Sequence, residues 1–291
     1  MKDVNILKNY GVDLNKSLEL LGDMDMYNEV MNDFLSMIDA KVASLEKYRS
    51  INDMKNYAVE VHSLKSDVRY LGFMALGDMA YELELRSKEN DIASVSAKHP
   101  ALMAEVKKMI GICRLYLFGE EIHEDTASNV QTNDIDINSL DPMSQALMYQ
   151  GTNYQNTTNA TNTTHDGTIL IVDDSQIVAN FVKKVFDQKY DVVILKDGKE
   201  AIDYCKIDEN RLKIKACLLD LNMPNVNGFE VLEFFNQNNY FVKLPVVIIS
   251  GVENNDLITK ASSYPIIEVL QKPFNERDVE DAVNKCLATY F

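Results

Sequence analysis

Five polar side chains stand where short apolar runs end. Asp173 and Asp174 follow TILIV, Asp220 closes ACLLD, Ser250 closes PVVIIS, and Lys272 comes just after IIEVL. If those runs are neighbouring parallel strands, their polar ends meet at one edge. Three carboxylates packed together repel one another unless a hard cation neutralises them, and all-oxygen ligation suits Mg2+ (or Mn2+). A hydroxyl and a lysine beside them are what a bound phosphoryl group needs for its remaining lone pairs and charge. Asp220 is then the natural nucleophile, forming an acyl phosphate by in-line attack. A single aspartate at a strand end is more often a cap or a turn residue. It is the joint placement at four strand ends that carries the chemistry.

The elements around these residues fit that requirement. TILIV, DVVIL, ACLL, PVVII and IIEVL are short, apolar and rich in β-branched residues. They alternate with helical patterns at SQIVANFVKKVF, KEAIDYC, GFEVLEFF, residues 253–263 and ERDVEDAVNKCLATY. Five buried strands alternating with helices predict an α/β doubly wound parallel sheet, whose crevice lies beyond the carboxyl ends of its strands.

The first 120 residues read as helix. Val30, Phe34, Ile38, Val42 and Leu45 recur every three or four positions. So do Ala58, Val61, Leu64, Val68 and Leu71, then Leu76, Met79, Ala80 and Leu83. A fourth helix, starting after His99-Pro100, carries Leu102, Val106, Met109, Ile110 and Cys113. Short connections make antiparallel neighbours, hence an all-α bundle. His62 falls on the flank of its helix's buried stripe, with Lys65 and Arg69 on the same flank and the small Ser66 away from the core. An imidazole so placed is expected to be accessible, with cations to stabilise an attached phosphate. By itself H-x-L-K is more often a surface histidine on a basic strip. His99, His123 and His165 are expected to be solvated.

Between the two regions, residues 121–167 hold seven acidic residues and no Lys or Arg, and include TNYQNTTNATNTT. Such a stretch cannot bury enough apolar surface to offset its ordering entropy, and reads as a linker. A short helix is expected at 141–150, where Asp141-Pro142 precedes MSQALMYQ and Gly151. The expected organisation is 1–120, 121–167 and 168–291.

The whole chain has 291 residues, room for two domains, and a net charge of −16 that disfavours a nucleic-acid partner. No apolar run approaches the roughly 18 residues of a membrane span, and the N-terminus lacks a signal-peptide core. A cytoplasmic protein is expected. Cys113, Cys205, Cys217 and Cys286 form no C-x-x-C pair, so neither a disulfide framework nor a zinc site is indicated.

IVDD followed by Ser175, LLDLNMPNVNG, IISG and LQKPF together resemble the receiver domain of two-component response regulators, the chemotaxis-regulator-like, flavodoxin-like fold. The resemblance covers 168–291. It implies that Asp174, Asp220 and the Asn222 carbonyl bind Mg2+ directly, with Asp173 acting through water. It also implies that Asp220 takes the phosphoryl group, Ser250 hydrogen-bonds it, Lys272 pairs with it, and the Lys272-Pro273 bond is cis. The position three before the lysine, commonly aromatic in receivers, is Val269 here.

HSLKSDVRYLGF, followed by the helix containing LELE, resembles the histidine-containing phosphotransfer (HPt) domain over roughly residues 10–118. That resemblance implies that His62 is the phosphoacceptor, that Lys65 assists it, that Ser66 leaves room for a receiver, that Gly72 permits close packing, and that Glu84 stands where some members hydrogen-bond the histidine.

The combination predicts a phosphorelay protein with no ATP-binding, DNA-binding or output-enzyme part, served by a sensor histidine kinase or by other receiver or HPt proteins. Two other readings stay open: an interaction scaffold in which His62 only docks, and an aspartyl-phosphate sink. A flexible tether of 47 residues spans roughly 40 Å, so exchange between His62 and Asp220 of one chain is permitted but not required.

Overall fold

The computed structural model describes residues 2–120, 165–251 and 255–291. Most of the expected linker, the expected helix at 141–150 and His123 lie outside the described residues. Two short helices, α1 (Val4–Asn9) and α2 (Leu14–Leu21), precede four longer ones: α3 (Met24–Ser50), α4 (Met54–Tyr70), α5 (Met74–Lys88) and α6 (Ile92–Phe118). The reversals between the long helices share a device. Asn52, Gly72 and Asn90 take positive φ, which short polar residues and glycine tolerate and other residues resist. Asp53 and Asp91 then accept backbone N–H groups and cap α4 and α6. At Gly72 a Cβ would lie 2.7 Å from the Asp13 carbonyl oxygen, so only glycine lets α2 sit on the α4–α5 turn. Val30, Phe34, Ile38, Val61, Leu64, Val68, Leu76 and Leu83 fill the bundle core, each at most 4% exposed.

The fourth long helix corrects the expected start. It begins at Ile92 and runs straight through Pro100, with His99 buried rather than solvated. Proline removes one helical hydrogen bond, but Pro100 faces solvent, where water can serve the orphaned carbonyl. Val95, Leu102 and Val106 hold both halves of the helix to the core. Within that core His99 Nδ1 meets the Tyr57 hydroxyl at 2.8 Å and its Nε2 lies 3.0 Å from Glu46.

The C-terminal region is a five-stranded parallel sheet of order β2-β1-β3-β4-β5. The strands are β1 (Thr168–Val172), β2 (Asp191–Leu195), β3 (Ile214–Asp220), β4 (Val246–Gly251) and β5 (Glu268–Lys272). Helices α7 (Gln176–Phe186), α8 (Gly198–Cys205), α9 (Asp208–Arg211), α10 (Gly228–Gln237), α11 (Asn255–Ala261) and α12 (Glu276–Tyr290) accompany it. β5 starts two residues later than its apolar run, because its ladder with β4 pairs Val247 with Glu268 and continues to Gly251 with Lys272. Lys272 is therefore in the strand rather than after it. The strand order reverses between β1 and β3, and that opens a crevice at the carboxyl edge.

The bundle and the sheet touch. α3 packs on α7, where Asn180 Nδ2 donates to Asp33 at 2.8 Å and Lys184 pairs with Glu29. Tyr70, at the end of α4, stacks edge-on against Phe274, and both rings meet Phe181 at centroid distances of 6.2–6.3 Å. All four cysteines are buried and unbridged.

Candidate functional site

The carboxyl ends of β1, β3, β4 and β5 bring Asp173, Asp174, Asp220, Ser250 and Lys272 to one edge, as their spacing predicts. Carboxylate oxygens of Asp173, Asp174 and Asp220 lie within 4.8 Å of one another. Lys272 Nζ bridges two of them, 2.7 Å from Asp173 and 2.6 Å from Asp220. The other Asp220 oxygen accepts the Asn222 N–H at 2.9 Å, and Asp173 accepts the Ser175 N–H at 2.9 Å. These backbone bonds fix the carboxylates in place.

The electrostatics follow from that crowding. Burial, with the neighbouring Asp220 charge, pushes the Asp173 carboxyl up to about 6 against the pull of Lys272. Burial and the Asp173 and Asp220 charges hold Asp174 well above the ordinary carboxylate range. Burial alone would lower Lys272, but the three aspartates outweigh it and keep the ammonium charged. One lysine against three close carboxylates leaves an excess of buried negative charge. An oxygen-lined pocket with that imbalance fits a small divalent cation.

Ser250 is buried, and its hydroxyl makes a long 3.4 Å bond to the Gly251 carbonyl. The Lys272-Pro273 peptide is cis, as the receiver resemblance implies. Val269 is partly buried and packs against the sheet's core.

His62 departs from its expected accessibility. It is 4% exposed, with Lys65 and Ser66 buried beside it. A helical wheel finds the side that the bundle itself buries; it cannot show that another part of the chain covers the flank. Here the receiver does so. A Cβ built on Gly251, next to Ser250, would stand 3.6 Å from His62 Cε1 and 3.8 Å from Lys65 Nζ. A cleft of about 470 Å³ beside the ring is walled by Ala58 and Val59 of α4 and by Leu221, Asn222 and Met223 of the receiver.

Glu84 of α5 takes both His62 and Lys65 of α4. Its Oε1 lies 2.8 Å from His62 Nδ1 and its Oε2 accepts Lys65 Nζ at 2.8 Å. Desolvation opposes its ionisation, but His62, Lys65 and Lys88 together hold the carboxyl far below its usual range. An ionised carboxylate can only accept, so Nδ1 is the donor, and in the neutral ring that orientation puts the lone pair on Nε2. Nε2 is buried with no hydrogen-bond partner. Arg69 pairs with Asp78 at 3.1 Å. His165, half-buried before β1, lies 2.9 Å from Asp191.

Sequence reasoning missed the residues that join the two parts. Asp67 accepts the Ser175 hydroxyl at 2.7 Å and Lys41 Nζ at 2.5 Å. The Tyr70 hydroxyl accepts the Phe274 N–H at 3.1 Å and donates to the Phe274 carbonyl at 3.3 Å. The available signal was small and polar residues, Ser63, Ser66 and Asp67, on an α4 flank that would otherwise be free to carry long solvated side chains.

Comparison with known proteins agrees with this geometry. The family model described as the response regulator receiver domain matches residues 169–284, and the Hpt domain model matches residues 29–111. The "Probable methanogenesis regulatory protein FilR2" of Methanothrix harundinacea is 30% identical over 122 residues, 40% of this chain and 79% of that protein. Response regulator Rcp1 of Synechocystis is 30% identical over 117 residues, 38% of this chain and 80% of that protein. A solved response regulator receiver domain from Clostridium thermocellum is 22% identical, covering 42% of this chain and 95% of that one, with a TM-score of 0.39. The chain belongs to the two-component response regulators, with an Hpt domain and a receiver domain in one polypeptide.

Proposed function

We propose that this chain is a self-contained phosphorelay in which a phosphoryl group passes between His62 and Asp220 of the same molecule. The observation that carries the reading is the seating of His62 and Lys65 against Gly251, at the end of the strand that supplies Ser250 and beside the strand that supplies Asp220. In the direction from histidine to aspartate, a carboxylate oxygen of Asp220 attacks phosphorus in line as the N–P bond at Nε2 breaks. The electron pair returns to Nε2 while Glu84 keeps the proton on Nδ1. Lys272, already 2.6 Å from Asp220, follows the developing charge onto the phosphoryl oxygens, and the Ser250 hydroxyl supplies a further donor. Lys65 stabilises the group while it rides on His62.

Mg2+ (or Mn2+) fits the acidic pocket, with Asp174, Asp220 and the Asn222 carbonyl as direct ligands and Asp173 acting through water. When bound, it neutralises charge on the phosphoryl oxygens. Residues 121–167 serve as a tether between the working parts at 1–120 and 168–291. The phosphoryl group enters or leaves through a sensor histidine kinase or another receiver or Hpt protein in the cytoplasm.

The test is site-resolved phosphorylation with a small phosphodonor and Mg2+, comparing wild type with Asp220→Asn and His62→Gln. Acid-labile label on His62 that requires Asp220, at a rate independent of protein concentration, is expected. Second-order kinetics would place the transfer between chains. Label that stays on Asp220 would leave His62 as a docking residue of a scaffold.

A further inference from the structure

Asp67 has no part in the chemistry just described, yet it is 1% exposed and paired with Lys41 at the seam between α4 and the receiver. Its two oxygens are divided: one takes Lys41 from within the bundle and the other takes Ser175 from the receiver. Ser175 is the residue directly after the acidic pair. Its hydroxyl does two things at once. It accepts the Val178 N–H at 3.2 Å, capping α7, and it donates its single proton to Asp67. Its own N–H holds Asp173.

A side chain at 175 must therefore both accept from the helix and donate to a buried carboxylate. Serine and threonine can do both. Alanine can do neither. Aspartate caps a helix as well as serine does, but it offers no proton and would face Asp67 with a second buried charge, which is strongly disfavoured.

We propose that Asp67 is the residue by which the bundle selects its receiver, accepting a domain with a neutral donor after the acidic pair and rejecting one with a carboxylate there. The inference rests on the docked arrangement proposed for phosphotransfer, and adds a rule for which receivers can dock. It makes Asp67 a positioning residue, acting through Ser175 on the turn that carries Asp173 and Asp174.

The full-length chain tests it. Asp220 is labelled with phosphoramidate and Mg2+, and transfer to His62 is followed in wild type, Ser175→Thr, Ser175→Asp, Asp67→Asn and the exchanged pair Asp67→Asn/Ser175→Asp. In the exchanged pair the amide at 67 donates to the carboxylate at 175 while its oxygen still accepts from Lys41, and α7 keeps a cap. Ser175→Thr should transfer within about twofold of wild type, whereas Ser175→Asp should lose about tenfold or more, the scale of one buried hydrogen bond broken. The exchanged pair should recover most of that loss. Small-angle scattering on the unlabelled proteins gives a second readout, in which Ser175→Asp expands the molecule and the exchange compacts it again. Ser175→Asp transferring and scattering like wild type would overturn the proposal, as would an exchanged pair no better than Ser175→Asp alone. If His62 never takes label in wild type while the scattering follows the expected pattern, the phosphotransfer reading fails and the docking rule stands.

Discussion

At the residue scale the two reactive groups are prepared in opposite ways. Asp220 sits among like charges, whereas His62 is held by an opposite one. Glu84 fixes the tautomer, so Glu84→Gln, which can present an N–H to Nδ1 and reverse the tautomer, should slow phosphotransfer by about 10–100-fold, as loss of such orienting partners does at other sites. Single-turnover kinetics at matched Asp220 labelling would show it. The acidic pocket gives a signed pH dependence. Asp173 and Asp174 keep their protons to higher pH in the folded chain than unfolded carboxyls near pH 4 do. The ion-free fold therefore loses stability as pH rises from about 4 through the raised values, about 6 for Asp173. A divalent cation that binds only the folded, deprotonated pocket offsets that loss. MgCl2 should raise the thermal midpoint clearly at pH 7.5 and much less at pH 5, with Asp174→Asn abolishing most of the difference.

At the element scale, α4 carries the most information and gave up only part of it to sequence. Val61, Leu64 and Val68 announce a helix and its buried face by their spacing alone. The convergence of the receiver's polar side chains was legible for the same reason: apolar strands end on polar residues, and a parallel sheet sends those ends to one edge. His62 was legible as a candidate, but its burial was not. Periodicity describes a helix against its own bundle, and Tyr70 and Asp67 acquire their roles from contacts with Phe274 and Ser175, 204 and 108 positions further along the chain. The start of α6 was misjudged because proline is a statistical helix boundary, and Pro100 faces water, which reduces its cost without removing it. Restoring that helical hydrogen bond with Pro100→Ala should stabilise the chain by roughly 1–3 kcal/mol in denaturant titration. Tyr70→Phe removes both hydrogen bonds to Phe274 and leaves a buried N–H without a partner, a cost of about 1–3 kcal/mol to docking. Faster amide exchange at Phe274, with the bundle core unchanged, is the expected signature.

At the scale of the whole molecule, a bundle and a sheet meet through an aromatic cluster of Tyr70, Phe181 and Phe274 and through polar pairs such as Asp67 with Ser175 and Asp33 with Asn180. Among the described residues no helix is long and apolar enough to cross a membrane. Interfaces within a chain of this kind open and close unless they are large and apolar. The proposed relay requires such opening, because Asp220 is 0% exposed and His62 4%, and a protein delivering or removing a phosphoryl group would need one of them. Loosening the contact should therefore move two rates in opposite directions. Tyr70→Phe should slow transfer from Asp220 to His62 and speed exchange with an external protein partner, measured by label passed to a purified Hpt or receiver protein.

The cover that Gly251 and its neighbours place over His62 has a further consequence, in the arithmetic of occupancy. A tethered domain is present at its partner's surface at a local concentration on the order of mM. An outside protein competes for the same face, and its apparent affinity falls in proportion to the fraction of molecules that are open. In the proposed relay the chain would therefore act as a competitive inhibitor of its own external traffic. It would ignore a dilute or weakly matched donor and respond once an abundant or well-matched one can displace the resident domain, which gives a signalling threshold without any additional component.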